Sequence, residues 1–302
     1  MNEQKQGVFN AIIAYGLWGV YPLYWRLLRS ITPTELLINR MLWSFLTLLL
    51  FIFLLRLAKP LIKIIADIRQ DKKKLLLLIL ATIFLSLNWF AFTFAMVSER
   101  ILEASLGYYI NPIINILIGV IFLKEKLNLY QLLAVLIAAA GVLFLTVTHG
   151  QLPWISLALA ISFSLYGLVK KLIQMDAFFS LFLETTLMLP ISVFFFAFWV
   201  VDGTSLWLEP TTSYVLLLIG AGFITMSPLY FFSKAAGQLP LRTLGFLQYI
   251  GPTIQVFVAV YITGEVFSTE RFIAFIFIWI ACLLFSLSYW LPSKEIKRNA
   301  SG

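Results

Sequence analysis

The sequence predicts an all-α integral membrane protein with ten transmembrane helices, arranged as two inverted five-helix repeats. Three observations support this prediction: an extreme composition, ten apolar segments of bilayer length, and a pattern that recurs at an offset of 140 positions. The 302 residues are 61% hydrophobic and only 12% charged, whereas about a quarter of the residues in a soluble domain are charged. A chain of this composition belongs in a lipid bilayer.

A membrane-spanning helix needs about twenty predominantly apolar residues. Charges, prolines and glycines divide the chain into ten such segments: residues 8–28, 35–57, 75–97, 102–123, 129–148, 153–172, 177–201, 212–233, 240–263 and 270–291. The first segment has no small-residue cleavage site behind it, so we expect a retained helix and not a removed signal peptide.

The basic residues between the spans predict the orientation of the chain. With the N-terminus inside, sixteen lysines and arginines fall in the inner links and tails and four fall in the outer links. Because basic residues concentrate in cytoplasmic loops, we expect a multi-pass protein of the plasma (inner) membrane with both termini in the cytoplasm. The same placement accounts for the net charge of +8 without nucleic acid as a partner.

The repeat depends on a Tyr-Ile-x-Pro string that occurs at residues 109–112 and again at 249–252. A glutamate follows each proline by thirteen residues, at Glu125 and Glu265, and both glutamates are interpreted as helix-terminal structure. Ten spans divide into five and five near residue 150, and an odd number per copy makes the second copy enter the membrane from the opposite side. We therefore expect one repeat at residues 1–150 and the other at residues 151–302, including a short basic tail.

Pro112 and Pro252 are expected to break or kink spans four and nine, because proline removes a backbone hydrogen bond and clashes with the preceding turn. Amides flank both positions, namely Asn111, Asn115, Gln248 and Gln255. These amides would either satisfy the freed backbone or line a solute cavity, and the sequence leaves both interpretations open.

Two charged residues lie inside predicted spans, Arg40 in span two and Glu184 in span seven. An intramembrane charge is costly, so each side chain should face the bundle interior or water. The inverted repeat places the two near opposite membrane faces, so we expect no direct ion pair between them. Arg40 would either bind solute or extend outward toward Glu35, and Glu184 would be either a proton carrier or a hydrogen-bonded structural carboxyl.

Aromatic and amide side chains complete the expected cavity, whose lining would suit a planar or amphiphilic organic solute. The candidate substrate-binding residues are Trp18, Arg40, Asn88, Trp89, Tyr109, Asn111, Asn115, Tyr166, Gln248 and Tyr249, with Glu184 as the candidate for proton coupling.

Small residues at Ala138-Ala139-Ala140-Gly141 predict a close helix contact on span five. The equivalent segment of span ten is bulky, which leaves open an asymmetry between the halves or a homodimer face. His149, the only histidine, is expected to be a solvated loop residue, and Cys282 to pack as a small apolar side chain. The chain therefore offers no expected metal site.

Motifs for nucleotide binding, zinc hydrolysis and serine nucleophiles are missing from the sequence, as is an aspartate-rich cluster for magnesium diphosphate. We therefore expect neither enzymatic activity nor a cofactor. Without a nucleotide site, uphill transport would draw on a proton gradient or on exchange for a counter-solute.

The string ASLGYYINP at residues 104–112, followed by FLKEKL at 122–127, resembles the EamA family of the drug/metabolite transporter superfamily, and specifically its RarD-type permeases. Residues 35–44, 88–89 and 245–252 extend the similarity, which covers essentially the whole chain. It implies ten helices in two inverted repeats, cytoplasmic termini and a central cavity between the halves. One departure is the segment at 264–266, which keeps the glutamate of 124–126 without its basic flanks.

Composition, repeat and resemblance together predict a secondary-active permease that moves a small organic metabolite or drug-like solute outward by alternating access. RarD-type proteins are named for a presumed role in chloramphenicol sensitivity, and relatives export amino acids or other metabolites; the sequence leaves the substrate open. The alternative is a non-transporting membrane receptor or assembly protein on the same scaffold. That alternative would have a cavity too narrow for a solute.

Overall fold

The computed structural model describes residues 3–98, 101–149, 154–203, 207, 211–262 and 268–288, with the backbone alone at 96–97, 101–105, 149, 259 and 271. Every regular element in these ranges is helical. The helices are α1 (Glu3–Val20), α2 (Pro22–Arg26), α3 (Pro33–Leu54), α4 (Ala58–Gln70), α5 (Lys72–Val97), α6 (Ile101–Leu123), α7 (Leu129–His149), α8 (Trp154–Ile173), α9 (Ala177–Val201), α10 (Thr212–Gln238), α11 (Leu241–Gln248), α12 (Ile250–Phe257) and α13 (Thr269–Leu287). A π-helical turn, Val258–Ile262, follows α12.

Eight helical stretches are long and apolar enough to cross a membrane, which makes the chain a multi-pass membrane protein. They are Pro33–Leu54, Lys72–Ala95, Leu106–Leu123, Leu129–Thr148, Trp154–Ile173, Ala177–Val201, Thr212–Gln238 and Leu241–Ile262. These eight coincide with the second to ninth predicted spans. The first and tenth predicted spans correspond to α1 and α13, and the apolar part of α13 covers only Phe272–Leu287.

Helix α4 was assigned to a link by the sequence pattern, because its charges interrupt every long apolar run. Its Ile64 and Ile68 pack against Leu78 of α5 and Ile173 of α8, while Lys63 is exposed. A helix with one apolar face and one basic face is typical of the membrane–water boundary.

Two apolar clusters hold the bundle together. The larger one draws buried residues mainly from α1, α3, α5, α8, α9 and α10, and the second joins α6, α7, α11 and α13. The broadest helix contacts are α6 with α8, α7 with α13, α1 with α10, and α5 with α8. Helix α8 therefore lies at the centre of the packing.

Glycines allow two close approaches between helix backbones. A methyl group at Gly222 of α10 would lie 2.2 Å from the carbonyl oxygen of Trp43 on α3. One at Gly141 of α7 would lie 2.7 Å from Cβ of Phe277 on α13. The small-residue face of α7 thus packs on α13 of the same chain, as close contacts in membranes commonly do.

Candidate functional site

A buried ion pair joins α8 to α9. Lys170 Nζ lies 2.7 Å from Glu184 Oε1, and the two side chains are 2% and 0% exposed. The Tyr166 hydroxyl donates to Glu184 Oε2 at 3.0 Å, and the Ser180 hydroxyl donates to Oε1 at 2.7 Å. Both carboxylate oxygens are therefore hydrogen-bonded, which is the condition under which a buried pair is tolerated.

The partner of Glu184 was missed by sequence reasoning, which placed Lys170 in an inner link. The chain reverses direction at 174–176, where Gln174 has a φ of 48° and the Asp176 carboxylate accepts N–H bonds at the start of α9. Lys170 lies three residues before the end of α8 and Glu184 lies seven residues after the start of α9, and the long lysine side chain spans the difference. A lysine and a glutamate within two turns of a short link between two apolar helices are the signal that would have indicated the pair.

A cavity of about 360 Å³ opens beside the pair, within the range of roughly 300–1,000 Å³ typical of ligand sites. Its wall consists of residues from the end of α8, the link, the start of α9 and α10, including Lys170, Lys171, Asp176, Ser233 and Lys234. Three lysines face one aspartate in this lining. The cavity is therefore a polar chamber at one end of an apolar bundle.

The polar groups of the cavity wall differ in the interactions that they make with the rest of the protein. Lys171 Nζ donates to the Leu239 carbonyl oxygen at 2.6 Å, and Lys234 Nζ lies 4.6 Å from the centroid of the Tyr230 ring. The Ser233 hydroxyl is buried without a hydrogen bond of normal length, and its polar neighbour is the Tyr166 hydroxyl. A polar molecule in the cavity would meet the ammonium groups of Lys171 and Lys234 and the hydroxyl of Ser233.

Arg40 forms a second polar site, toward the other end of the bundle. Its Nε donates to Thr225 Oγ1 at 3.1 Å. Its guanidinium carbon lies 4.7 Å from the centroid of the Trp25 ring and 5.3 Å from that of Trp89. No carboxylate in the described part of the chain lies within ion-pair distance of Arg40, so the alternative in which it extends to Glu35 is not the arrangement found.

Aromatic rings fill the space between the two polar sites. Tyr166 stacks on Phe232 with centroids 6.0 Å apart, and Phe163 lies 4.8 Å from Phe232. Trp18 lies 5.6 Å from Phe163 and 5.8 Å from Phe232. These four rings, here called the aromatic cluster, form a continuous contact at the centre of the bundle.

The position of the aromatic cluster follows from the order of residues along the helices. On α10, Thr225 contacts Arg40, and Phe232 follows about two turns later. On α8, Tyr166 precedes Lys170 by about one turn. The aromatic cluster therefore separates Arg40 from the Lys170–Glu184 pair.

Two of the candidate amides serve helix packing. Asn88 Nδ2 donates to the Leu159 carbonyl oxygen at 2.9 Å and to Ser162 Oγ at 3.2 Å. Asn111 Oδ1 accepts a hydrogen bond from the Ser164 hydroxyl at 3.0 Å. These bonds hold α8 against α5 and α6.

The other two amides have unused acceptors. Asn115 Oδ1 and Gln248 Oε1 are buried and accept no hydrogen bond within the described ranges. A methyl group at Gly167 would lie 3.7 Å from Asn115 Oδ1 and 3.3 Å from Phe232 Cζ, which places Asn115 beside the aromatic cluster. Buried carbonyl oxygens usually find a donor, so these two are suited to a hydroxyl or amide of a bound molecule.

The two prolines differ in their effect on the backbone. Helix α6 continues through Pro112, whereas α11 ends at Gln248 and α12 begins at Ile250. The ring of Pro252 clashes with the carbonyl four residues earlier, which is that of Gln248, so the break falls one turn before the proline. Span nine is thus interrupted and span four is not.

The tyrosines of the repeated string contact each other. The Tyr249 hydroxyl donates to the carbonyl oxygen of Tyr109 at 3.3 Å. Both tyrosines are buried, and the contact joins α6 to the break between α11 and α12. Their side chains therefore contribute to packing at the centre of the chain.

Glu125 caps α11 from the link after α6. Its carboxylate accepts hydrogen bonds from the backbone N–H groups of Leu241 at 2.7 Å and Arg242 at 3.0 Å. Arg242 Nη1 in turn donates to the Lys126 carbonyl oxygen at 2.6 Å. A carboxylate at a helix N-terminus is stabilising. Glu265 lies outside the described residues.

Metal-binding geometry is not found among the residues that the structure describes, since no three His, Cys, Asp or Glu side chains lie together. Cys282 is half-buried at the edge of the second apolar cluster. The side chain of His149 lies outside the described residues.

The fold and its buried charges define a multi-pass membrane protein with polar groups inside an apolar bundle. The EamA-like transporter family model matches residues 5–147. The uncharacterized transporter YojE of Bacillus subtilis is 40% identical over 95% of each chain. Protein RarD of Escherichia coli is 39% identical, over 94% of each chain. The chain therefore belongs to the EamA-like transporter family, among its RarD-type proteins.

A more distant relative and a solved structure agree with this assignment. The chloramphenicol-sensitive protein RarD of Pseudomonas aeruginosa is 27% identical over 99% of each chain. A protein of known crystal structure is 17% identical, with a TM-score of 0.71, over 93% of this chain and 97% of its own. At that identity the likeness shows a shared fold.

Proposed function

We propose that the chain is a secondary-active permease of the plasma (inner) membrane that exports a small organic solute by alternating access between two inverted five-helix halves. The observation that carries this proposal is the buried Lys170–Glu184 pair beside a cavity of about 360 Å³. Charged groups inside a bilayer are costly and mark solute or ion pathways. Family membership and the multi-pass fold agree with it.

The helix contacts support two halves at residues 1–150 and 151–302 with ten spans. If α1, α3, α5, α6 and α7 are the first five spans, α8, α9, α10, α11–α12 and α13 are the equivalent five. Helix α1 then packs on α10 as α8 packs on α5, and the pairs α6 with α11 and α7 with α13 join equivalent helices. The Tyr249–Tyr109 contact likewise joins two equivalent positions of the proposed halves.

The basic residues support cytoplasmic termini, because sixteen of them then lie inside. In that orientation the cavity at Lys170 faces the cytoplasm, Arg40 lies toward the outside, and the aromatic cluster closes the path between them. The arrangement is that of an inward-facing conformation. Every residue used in this proposal comes from one chain. Each subunit of a homodimer would therefore be a complete transporter.

Glu184 is the proposed site of proton coupling, and a counter-solute is the other source of driving force. The titratable groups in contact with Glu184 are Lys170 and Tyr166. A proton on the carboxylate would remove its charge and weaken its hold on Lys170. Protonation of Glu184 would therefore break the ion pair that joins α8 to α9. Both helices belong to the second proposed half.

The experiment begins with the solute. Intracellular and extracellular metabolites are compared between a deletion strain and an overexpressing strain, and the exported compound is then followed in proteoliposomes. Glu184→Gln should abolish flux driven by a proton gradient while the protein remains folded by size-exclusion chromatography. Glu3→Gln, the same change at an exposed position, should leave flux unchanged.

Two outcomes would contradict the proposal. Flux that is unchanged in Glu184→Gln would remove this residue from coupling. Absence of flux across a broad metabolite panel, for a correctly folded protein, would favour a non-transporting receptor or assembly protein.

A further inference from the structure

We infer that the transported solute is a small organic anion, which replaces Glu184 as the partner of Lys170 on the cytoplasmic side and is bound by Arg40 on the outer side. This inference rests on the proposed function and names its substrate class. It is drawn from the charges of the two polar sites.

At the cytoplasmic side, a carboxylate of the protein already occupies the position that a substrate carboxylate or phosphate would take. Lys170 lines the cavity and its Nζ contacts Glu184 Oε1 at 2.7 Å. Ser233, whose buried hydroxyl neighbours the Tyr166 hydroxyl, lines the same cavity. An anion in the cavity would therefore meet an ammonium group and a hydroxyl donor.

The neighbouring lysines add to this preference. Lys171 and Lys234 also line the cavity, and its lining carboxylate, Asp176, is engaged with backbone N–H groups of α9. A cluster of like charge beside a low-dielectric wall raises the local concentration of ions of the opposite sign. The cavity thus favours anions before they reach Lys170.

At the outer side, Arg40 is a cation without a carboxylate partner among the described residues. Thr225 accepts from Nε, and Trp25 and Trp89 contact the guanidinium through their rings. The terminal guanidinium nitrogens make no hydrogen bond in the described part of the chain. A planar pair of donors of this kind matches a carboxylate or a phosphate.

Charge balance shows how an anion and a proton can move together. In the unloaded site, the ammonium of Lys170 and the carboxylate of Glu184 sum to zero. For a monovalent anion, the loaded site holds Lys170 paired with the anion and Glu184 protonated, which also sums to zero. One proton from water binds a Glu184 oxygen, the internal ion pair breaks, and the new ion pair forms; release reverses each step.

Equal net charge means that neither state carries a charge across the bilayer, where a charge is costly. The anion and the proton therefore travel in the same direction. An inward proton gradient therefore opposes export by this route, so export is driven by a higher concentration of the anion inside the cell or by exchange for another anion. Glu184→Gln would retain anion exchange and lose proton-linked flux.

Binding to the purified protein in detergent tests the inference without any need for transport. The probes are benzoate, succinate and phenyl phosphate, each compared with its neutral counterpart: benzamide, succinamide and phenol. At least one anion should bind more tightly than its counterpart, and the phosphate arm distinguishes phosphate from carboxylate recognition. Equal binding of charged and neutral partners throughout the panel would overturn the inference.

Variants of the ion pair sharpen the test. Glu184→Gln should bind the recognised anion about tenfold more tightly, because the competing internal carboxylate is gone; this factor corresponds to about 1.4 kcal/mol. The double variant Lys170→Gln/Glu184→Gln should lose anion binding while remaining folded. Lys63→Gln, which removes a lysine from exposed α4, should bind like the unmodified protein. No gain in Glu184→Gln would contradict the inference.

The outer site is tested in proteoliposomes with the anion supplied from outside. Arg40→Gln should lower the apparent affinity at least tenfold, and Arg40→Lys should lose less because the charge is kept. Export of only neutral or cationic metabolites, unaffected by these variants, would overturn the anion inference and leave the proposed function intact. Absence of any flux would instead remove the proposed function, whatever the binding measurements show.

Discussion

The polar sites at Lys170 and at Arg40 each hold one cation inside the bundle, but the two cations have different partners. Lys170 has a carboxylate at 2.7 Å, whereas Arg40 has a threonine hydroxyl and two tryptophan rings. Lys170 thus has a counter-ion within the protein, and Arg40 has none among the described residues. In the proposed mechanism a solute displaces the carboxylate that holds Lys170, whereas Arg40 is held in place with donors left over.

The largest expected effect comes from removing one member of the Lys170–Glu184 pair. Lys170→Gln leaves the fully buried Glu184 carboxylate without its cation, which should lower the free energy of unfolding by roughly 3–5 kcal/mol. The double variant Lys170→Gln/Glu184→Gln should recover most of this loss. Thermal unfolding in detergent, measured for the unmodified protein and both variants, checks the difference. Equal losses of unfolding free energy in the single and double variants would mean that the unpaired Glu184 carboxylate does not destabilise the protein.

A smaller effect on the free energy of unfolding should distinguish the helix packing near Arg40 from that near the aromatic cluster. Gly222→Ala sets a methyl group 2.2 Å from the Trp43 carbonyl oxygen, whereas Gly167→Ala sets one 3.3 Å from Phe232 Cζ. Backbone cannot move aside as a ring can, so Gly222→Ala should cost roughly 1–3 kcal/mol, and Gly167→Ala less. Unfolding measurements on both variants decide this. The reverse order would show that α3 and α10 are not held rigidly near Arg40.

The smallest effect should come from Thr225, the residue that positions Arg40. Thr225→Val removes the acceptor for Arg40 Nε and should reduce the affinity for an anion presented from outside about fivefold, which corresponds to roughly 1 kcal/mol. Thr146→Val is the matched control, because the Thr146 hydroxyl bonds within α7 at the Val142 carbonyl. A second measurement shows whether Thr225 acts through Arg40. The double variant Arg40→Gln/Thr225→Val should bind the anion with the same affinity as Arg40→Gln alone.

Long apolar stretches were predictable from the sequence because bilayer thickness sets their length. The predicted span 177–201 coincides with α9 (Ala177–Val201), and 212–233 begins with α10 at Thr212. Helix α4 was missed, since a short amphipathic helix resembles a charged link in composition. The break of span nine was expected at Pro252, but the clash of proline with an earlier carbonyl moves it to Gln248.

The candidate site was only partly predictable from the sequence. Some of its residues contact residues far away in the sequence, and one of them follows the usual distribution of basic residues in membrane proteins. Lys170 follows the rule that basic residues collect at cytoplasmic ends, and nothing in the local pattern distinguishes a paired, buried lysine from a solvated one. Arg40 was recognisable as a costly charge, but its contact with Thr225 joins residues in different halves of the chain. Only the packed helices bring such residues together.

Glu125 has a mechanical consequence for any motion of the bundle. Its two bonds to the start of α11, with the return bond from Arg242 to the Lys126 carbonyl, fasten the end of α6 to the start of α11. With that end fastened, the far ends of the same helices are the parts free to spread. The cavity lined by α8, α9 and α10 lies beside this fastened end, because Lys171 lines the cavity and interacts with Glu125.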